Sequence, residues 1–346
     1  MAFTVDLDRF RFDAALRAGV EGKRVLITGA GKDGGLGQAF ALAAGLNGAA
    51  AVGVHFHSSY SDGFDLVAAL ERAGIPAFPL QADVTNVGDL WASRSYVIEQ
   101  FGGMPPNLVV CNSGLTEKGY SFGRALREVE GESSAQRRAR VRQSFVDNLG
   151  ESQQVLSTKI DGFLGTTHLW AGEAVHANEP LQLVYVSSRQ AIDPGAGVPG
   201  YAISNWAVLM LPDVLKVNLG KASDVVSALS ILLPFVRTGM TGDYAENPKV
   251  FGRWQPRMLE THEAAEALLQ LLAQPRQVTD RAMFELMVDA VTPDSVSDGS
   301  GAHADVPADA PAGIDVTWKQ VHLDVREEPV AWSADQPLRY GSGRKP

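Results

Sequence analysis

The feature that most limits what this chain can fold into is a rhythm. Short apolar runs alternate with amphipathic stretches from about residue 24 to residue 233. Arg24-Val25-Leu26-Ile27 reads as a strand, 38–46 as a helix, 50–56 as a second strand and 65–73 as a second helix. Ala77-Phe78-Pro79-Leu80 then leads into Ala82-Asp83-Val84-Thr85, 89–101 is helical, and 107–111 is the next buried strand. Further on come a helix at 153–177, strands at 181–186 and 225–233, and between them a helix from 201 to about 219. Strands joined by crossover helices run parallel with helices on both faces, so the expected fold is α/β, a Rossmann-type doubly wound parallel sheet.

The turn after the first strand narrows this further. It reads Thr28-Gly29-Ala30-Gly31-Lys32-Asp33-Gly34-Gly35-Leu36-Gly37. Glycines allow positive φ and close backbone approach to a pyrophosphate, and the helix that follows offers free N–H groups. A surface turn would also suit glycine, but a strand before and a helix after favour dinucleotide binding. Gly29, Gly31, Gly35, Leu36 and Gly37 are the expected cofactor contacts; Lys32 either neutralises phosphate or is a solvated loop lysine. In NAD-binding chains an acid stands at the end of the second strand and bonds the ribose hydroxyls. Here that position holds His55, in Val54-His55-Phe56-His57-Ser58-Ser59. With no acid to repel a 2′-phosphate, and His55 and Ser58 as donors, the expected cofactor is NADP(H).

Composition excludes other classes. The 346 residues are 45% hydrophobic and 20% charged, enough for one large core, and the net charge of -10 argues against nucleic-acid or anionic-membrane binding. The basic run Arg137-Arg138-Ala139-Arg140-Val141-Arg142 is an exposed helix face or a contact for an acidic carrier or a phosphate. The lone cysteine, Cys111, fits a reducing compartment. The first residues lack a signal-peptide pattern, and no apolar run approaches the ~18–20 residues that cross a bilayer. A soluble, cytoplasmic protein is expected, and no metal is assigned.

The expected organisation is an N-terminal extension over 1–22, whose Phe3, Val5, Leu7, Phe10, Phe12 and Leu16 pack on the body, and a catalytic domain over 22–290. Residues 115–150 form a polar insertion, either helical or a binding element, and 239–256 take the place of a substrate lid. Residues 291–313 read as a flexible linker within a C-terminal segment running to 346. Beyond the linker, 314–332 alternates like an extended strand that docks on the domain or on a partner.

On these motifs the chain resembles the short-chain dehydrogenase/reductase family over residues 22–290. The glycine turn matches TGxxxGxG with two extra residues. Asp83, followed by Val84, matches the acid that holds the adenine ring. Cys111-Asn112-Ser113-Gly114 stands for NNAG, retaining Asn112 and Gly114 and making Cys111 a packing residue rather than a nucleophile. Ser188 precedes Tyr201 by the family's thirteen residues. The family usually places Lys four residues after the Tyr and Asn on the preceding helix; here the positions hold Asn205 and Lys159. That exchange is similar to ketoreductase domains of modular polyketide synthases. Val236 and Thr238, in Leu233-Pro234-Phe235-Val236-Arg237-Thr238, stand for the turn beside the nicotinamide. Tyr244, Phe251 and Trp254 in the lid line an apolar pocket or anchor a loop.

The chemistry fits without the resemblance. Hydride delivered to a ketone leaves charge on oxygen, which must be stabilised and protonated. A free tyrosine has a pKa of about 10 and needs a nearby cation to serve as the acid at neutral pH. The expected catalytic set is therefore Ser188, Tyr201, Lys159 and Asn205, with Ser187 the rival of Ser188. The expected substrate is a small-molecule ketone of polyketide-like, acyl or polycyclic type, free or carrier-bound, and the family habit implies a homo-oligomer. A non-catalytic NADP-binding scaffold is the alternative. An enoyl reductase fits poorly, because Ala207 and Val208 stand where its lysine would be.

Overall fold

The computed structural model describes residues 7–118, 126–195, 197–241, 258–290 and 314–323. In chain order the elements are α1 (Ala14–Arg17), β1 (Arg24–Ile27), α2 (Leu36–Leu46), β2 (Ala51–Phe56), α3 (Tyr60–Arg72), β3 (Ala77–Gln81), α4 (Val87–Gln100) and β4 (Leu108–Cys111). There follow α5 (Ser134–Ala177), β5 (Leu181–Ser188), α6 (Pro199–Ala207), α7 (Leu211–Leu219), β6 (Val226–Leu233), α8 (Thr261–Leu272), α9 (Arg276–Thr279), β7 (Met283–Ala290) and β8 (Ile314–Val321).

The sheet order is β3-β2-β1-β4-β5-β6-β7-β8, parallel except for the last pair. This is the expected doubly wound sheet. Successive strand residues point to opposite faces. Val25 and Ile27 therefore join one core with Leu42 of α2, Leu70 of α3 and Leu268 of α8. Leu26 joins the other, with Val97 of α4, Phe163 and Trp170 of α5, and Leu211 of α7. Pro79 is tolerated because β3 lies at the sheet edge, where a missing N–H leaves no ladder bond unmade. The order reverses between β1 and β4, whose C-terminal ends open the crevice where such sheets take ligands.

Three expectations change in detail. The expected helix over 153–177 begins much earlier, since Ser134–Ala177 is one helix of 44 residues. A Ser133/Gln136 capping box starts it, and Arg137–Glu128 and Arg140–Glu132 pairs brace its first turns. The second half of the 115–150 insertion is thus helical; 119–125 lie outside the described residues. The helix expected over 201–219 is broken at Val208–Met210 by a 3₁₀ turn. Pro212 explains the break, because it donates no N–H and its ring crowds the carbonyl four residues back. In the N-terminal extension Phe10 and Leu16 are buried as expected, whereas Phe12 is exposed; Phe3 and Val5 lie outside the described residues.

The C-terminal strand docks on the body. β8 pairs antiparallel with β7, and the Trp318 indole donates to the Ala267 carbonyl at 2.8 Å. The linker at 291–313, Trp332 and the lid from 242 to 256, including Tyr244, Phe251 and Trp254, lie outside the described residues. Among the described residues no helix is long and apolar enough to cross a membrane.

Candidate active site

The C-terminal ends of β1 and β4 are sewn together by side chain–backbone bonds. Thr28 Oγ1 accepts from the N–H groups of Asn112 and Ser113, at 3.0 and 3.1 Å. Asn112 Nδ2 donates to the carbonyls of Thr28 and Gly29, both at 3.2 Å. Gly29 has φ +68, and a Cβ there would lie 2.9 Å from Ser113 Cα; at Gly37 it would lie 2.5 Å from the Gly29 carbonyl. These glycines let two strand ends and a helix meet without side chains between them.

The two extra turn residues have a use. Gly34 N–H donates to Gln38 Oε1 at 2.9 Å, Gln38 Nε2 donates to Asp33 Oδ1 at 3.1 Å, and Asp33 N–H donates to Asp62 on α3. The enlarged turn is thus braced by its own helix. Gly35 caps α2 without any side-chain hydrogen bond, which leaves the helix start open to an anion. Leu36 is half-buried beside it. Lys32 reaches across to the loop after β6, where a Cβ on Gly239 would meet its Cε at 3.1 Å and its Nζ at 3.4 Å. In that loop Val236 is buried and bridges to Leu259, while the Thr238 hydroxyl accepts from Met240 N–H at 3.2 Å. The glycine turn and the loop after β6 therefore face each other. Their uncapped helix start and bare backbone fit a nicotinamide dinucleotide.

At the end of β2 His55 faces inward. It is 3% exposed, and its Nδ1 accepts from Gly29 N–H at 3.2 Å. Burial is the main cause that lowers its pKa to about 4, so the ring is neutral and shapes the turn instead of offering a cation. The polar groups open to solvent here are His57 and Ser58. Asp83 accepts from Thr85 N–H and its hydroxyl at 2.9 and 2.8 Å. Burial pushes its carboxyl up, but those bonds, with His57 and His55 nearby, outweigh it and hold the group below its usual value. Val84 packs on Gly162 of α5, where a Cβ would come within 2.7 Å.

The four expected catalytic residues come from three neighbouring elements. Ser188 ends β5, Tyr201 and Asn205 lie one turn apart on α6, and Lys159 is on α5. Burial pushes the Tyr201 phenol up, and the Ser188 and Asn205 side chains beside it pull it back only in part. Ser187, the rival of Ser188, spends its hydroxyl on the Asn205 carbonyl at 2.8 Å. Asn205 is fully buried; its Nδ2 donates to the Tyr201 carbonyl at 2.8 Å, and its Oδ1 has no partner among the described residues.

Lys159 is 5% exposed, not a surface lysine. Its Nζ lies 5.0 Å from the Phe163 ring centre and 3.5 Å from where a Cβ on Gly114 would stand. It makes no hydrogen bond to Tyr201 among the described residues, and burial lowers its pKa to about 7. No carboxylate pairs with it among the described residues. Cys111 beside it is a packing residue, its thiol pushed up by burial and so unsuited to nucleophilic work. Sequence reasoning passed over one buried acid, Glu117, which reaches the start of α6. No spacing marks it, because its partners are distant in the chain.

The sequence profile of a family described as short chain dehydrogenase matches residues 23–249. A short chain dehydrogenase of Emericella nidulans is 34% identical over 101 residues, covering 29% of this chain and 36% of that one. A trihydroxynaphthalene reductase of Pestalotiopsis fici is 29% identical over 116 residues, covering 32% and 39%. The chain thus spans little more than a third of the length of these two relatives. A 3-oxoacyl-[acyl-carrier protein] reductase of Brucella melitensis, solved with bound NAD, shares the fold with a TM-score of 0.59 at 21% identity, covering 82% of this chain and 95% of that one. Matched along most of its sheet, the chain belongs to the short-chain dehydrogenase family, oxidoreductases that use a nicotinamide cofactor.

Proposed function

We propose that residues 22–290 form an NADPH-dependent ketoreductase that reduces a ketone to a secondary alcohol on a polyketide-like, acyl or polycyclic substrate. One observation carries the reading: Ser188 at the end of β5 and Tyr201 on the adjoining α6 are accompanied by a buried Lys159 from α5, which lies against Gly114 beyond β4 and pairs with no carboxylate among the described residues. A nicotinamide cofactor held by the glycine turn and the loop after β6 would supply hydride to the carbonyl carbon. Ser188 donates a hydrogen bond to the oxygen on which charge grows, and Tyr201 delivers the proton. Burial keeps the phenol protonated until then. Lys159, its amine lowered by burial to about 7, takes a proton from solvent as Tyr201 gives up its own, so that the charges formed on the two groups offset each other. The unpartnered Oδ1 of Asn205 is an acceptor for that ammonium or for a relaying water.

The absence of an acid at the end of β2 supports NADPH, with His57 and Ser58 as the exposed donors toward a 2′-phosphate. The reductase names of the Pestalotiopsis and Brucella proteins support the carbonyl substrate. A carrier-bound substrate would meet Arg138 and Arg142, exposed on α5, since Arg137 and Arg140 are paired with acids. Ile203, Trp206, Val214 and Val217, exposed on α6 and α7, support a homo-oligomer.

The test is NADPH consumption with a panel of ketones. Tyr201→Phe and Lys159→Ala should each lower turnover at least ~100-fold; variants that match the wild type would remove the assigned site. Equal use of NADH and NADPH would overturn the cofactor preference. Loss of activity only toward carrier-bound substrate in Arg138→Glu/Arg142→Glu would support the carrier, and unchanged activity would dismiss it.

A further inference from the structure

The loop that leaves β4 carries a buried carboxylate three residues beyond Gly114. Glu117 is 5% exposed, and no basic side chain pairs with it among the described residues. Its Oε1 accepts from Gly200 N–H at 2.6 Å and from the Ser152 hydroxyl at 2.8 Å, and its Oε2 accepts from Tyr201 N–H at 3.2 Å. Three donors from two other elements converge on one acid.

Elementary helix chemistry explains the arrangement. The first amides of a helix have no partner within it, and they carry the positive end of its dipole. At α6 the cap position is Val198, which makes no side-chain bond, and Pro199 has no N–H to satisfy. The next two amides, of Gly200 and Tyr201, are those that Glu117 accepts from. The acid is thus a cap supplied from another part of the chain. Glycine at 200 permits the approach, since a Cβ there would lie 2.7 Å from Glu117 Oε1 and 2.9 Å from the Ser152 carbonyl.

The bond to Ser152 ties the cap to α5. Ser152 precedes Lys159 by seven residues, about two turns along the same helix face. The acid also sits directly beyond the Asn112–Gly114 segment at the mouth of the crevice. One carboxylate therefore sets the offset between the helix bearing Tyr201, the helix bearing Lys159 and the loop between β4 and α5.

We infer that Glu117 is the positioning residue of this site: it fixes the start of α6 so that the Tyr201 phenol is presented to the substrate carbonyl. This rests on the reading of Tyr201 as the proton donor. Glu117→Ala is expected to lower kcat ~10- to 100-fold, the scale of a misplacement of about 1 Å. KM for the ketone and the affinity for NADPH should stay within about twofold. Glu117→Gln, which keeps one acceptor oxygen for Gly200 and Ser152 but turns an amino group toward Tyr201 N–H, should fall between.

The discriminating experiment repeats Glu117→Ala in a Tyr201→Phe background. Acting through Tyr201, the second change should leave the residual kcat unaltered although the melting temperature still drops. An equal fold-loss of kcat in both backgrounds, or a kcat within about twofold of wild type in the single variant, would overturn the inference. Tyr201→Phe with undiminished turnover is a different result, which strikes the proposed function itself. Amide hydrogen exchange tests the cap without any substrate: Gly200 and Tyr201 should exchange at least ~10-fold faster in Glu117→Ala, while β4 and β5 stay protected. Unchanged exchange at those two amides would refute the capping role whatever the ketone assays show.

Discussion

Replacing Lys159 by Met should make the ligand-free protein more stable while removing its activity. Burial lowers the amine from 10.5 to about 7. Between those values the unfolded chain holds a proton that the folded chain lacks, so stability rises with pH across about pH 7 to 10.5. Below about pH 7 both states are charged, and the fold bears the full desolvation cost. A difference of 3.5 units at about 1.4 kcal/mol each is about 5 kcal/mol. The Phe163 ring at 5.0 Å offsets about 1 kcal/mol of this. Exchanging Lys for a Met of similar length costs about 1 kcal/mol in packing. The net gain for Lys159→Met is about 3 kcal/mol at pH 6, shrinking to nothing near about pH 10. Urea unfolding of both proteins across that range, alongside NADPH turnover, is the assay. A Met variant that is less stable at pH 6, or a difference that does not change with pH, would refute a desolvated amine at this position.

Three further outcomes follow from particular contacts. His55 is held neutral at about 4 against an ordinary 6.5, so stability should fall by about 3 kcal/mol as pH drops through that interval; in His55→Gln, followed by urea unfolding, that part of the acid dependence should vanish. Gly37→Ala places a Cβ 2.5 Å from the Gly29 carbonyl and 2.7 Å from Asn112 Nδ2; it should cost about 1–3 kcal/mol in melting experiments and weaken NADPH binding at least ~10-fold by fluorescence titration. Ending the chain at residue 290 strips β8 from β7 and leaves an open strand edge, which should promote self-association detectable by light scattering; Trp318→Phe, which removes the bond to Ala267 while keeping a ring beside Phe284, should cost about 1 kcal/mol or somewhat more without it.

Relations within a short stretch of chain were legible in the sequence. The strand–helix alternation and the glycine turn between β1 and α2 follow from side-chain period and backbone freedom, and the spacing of Ser188, Tyr201 and Asn205 was legible through the family resemblance. The same locality explains one boundary placed too late. The start of α5 was marked by Ser133 and Gln136, but its polar first half lacks the apolar period by which helices are recognised. Lys159 and its exchange with Asn205 could be named from the sequence, though not its burial.

The amino-acid order alone determined the order of the elements and which residue types stand at the ends of the strands. Tertiary structure decided which way those residues face and what they touch. It turned His55 inward onto Gly29, occupied Ser187 with the Asn205 carbonyl, turned the Ser188 hydroxyl to Gln190 N–H, and brought Glu117 to amides more than eighty positions away. The physical reason is that hydrogen bonding and desolvation depend on distance in space, and sequence pattern reports distance only within a turn of helix or a few residues of strand.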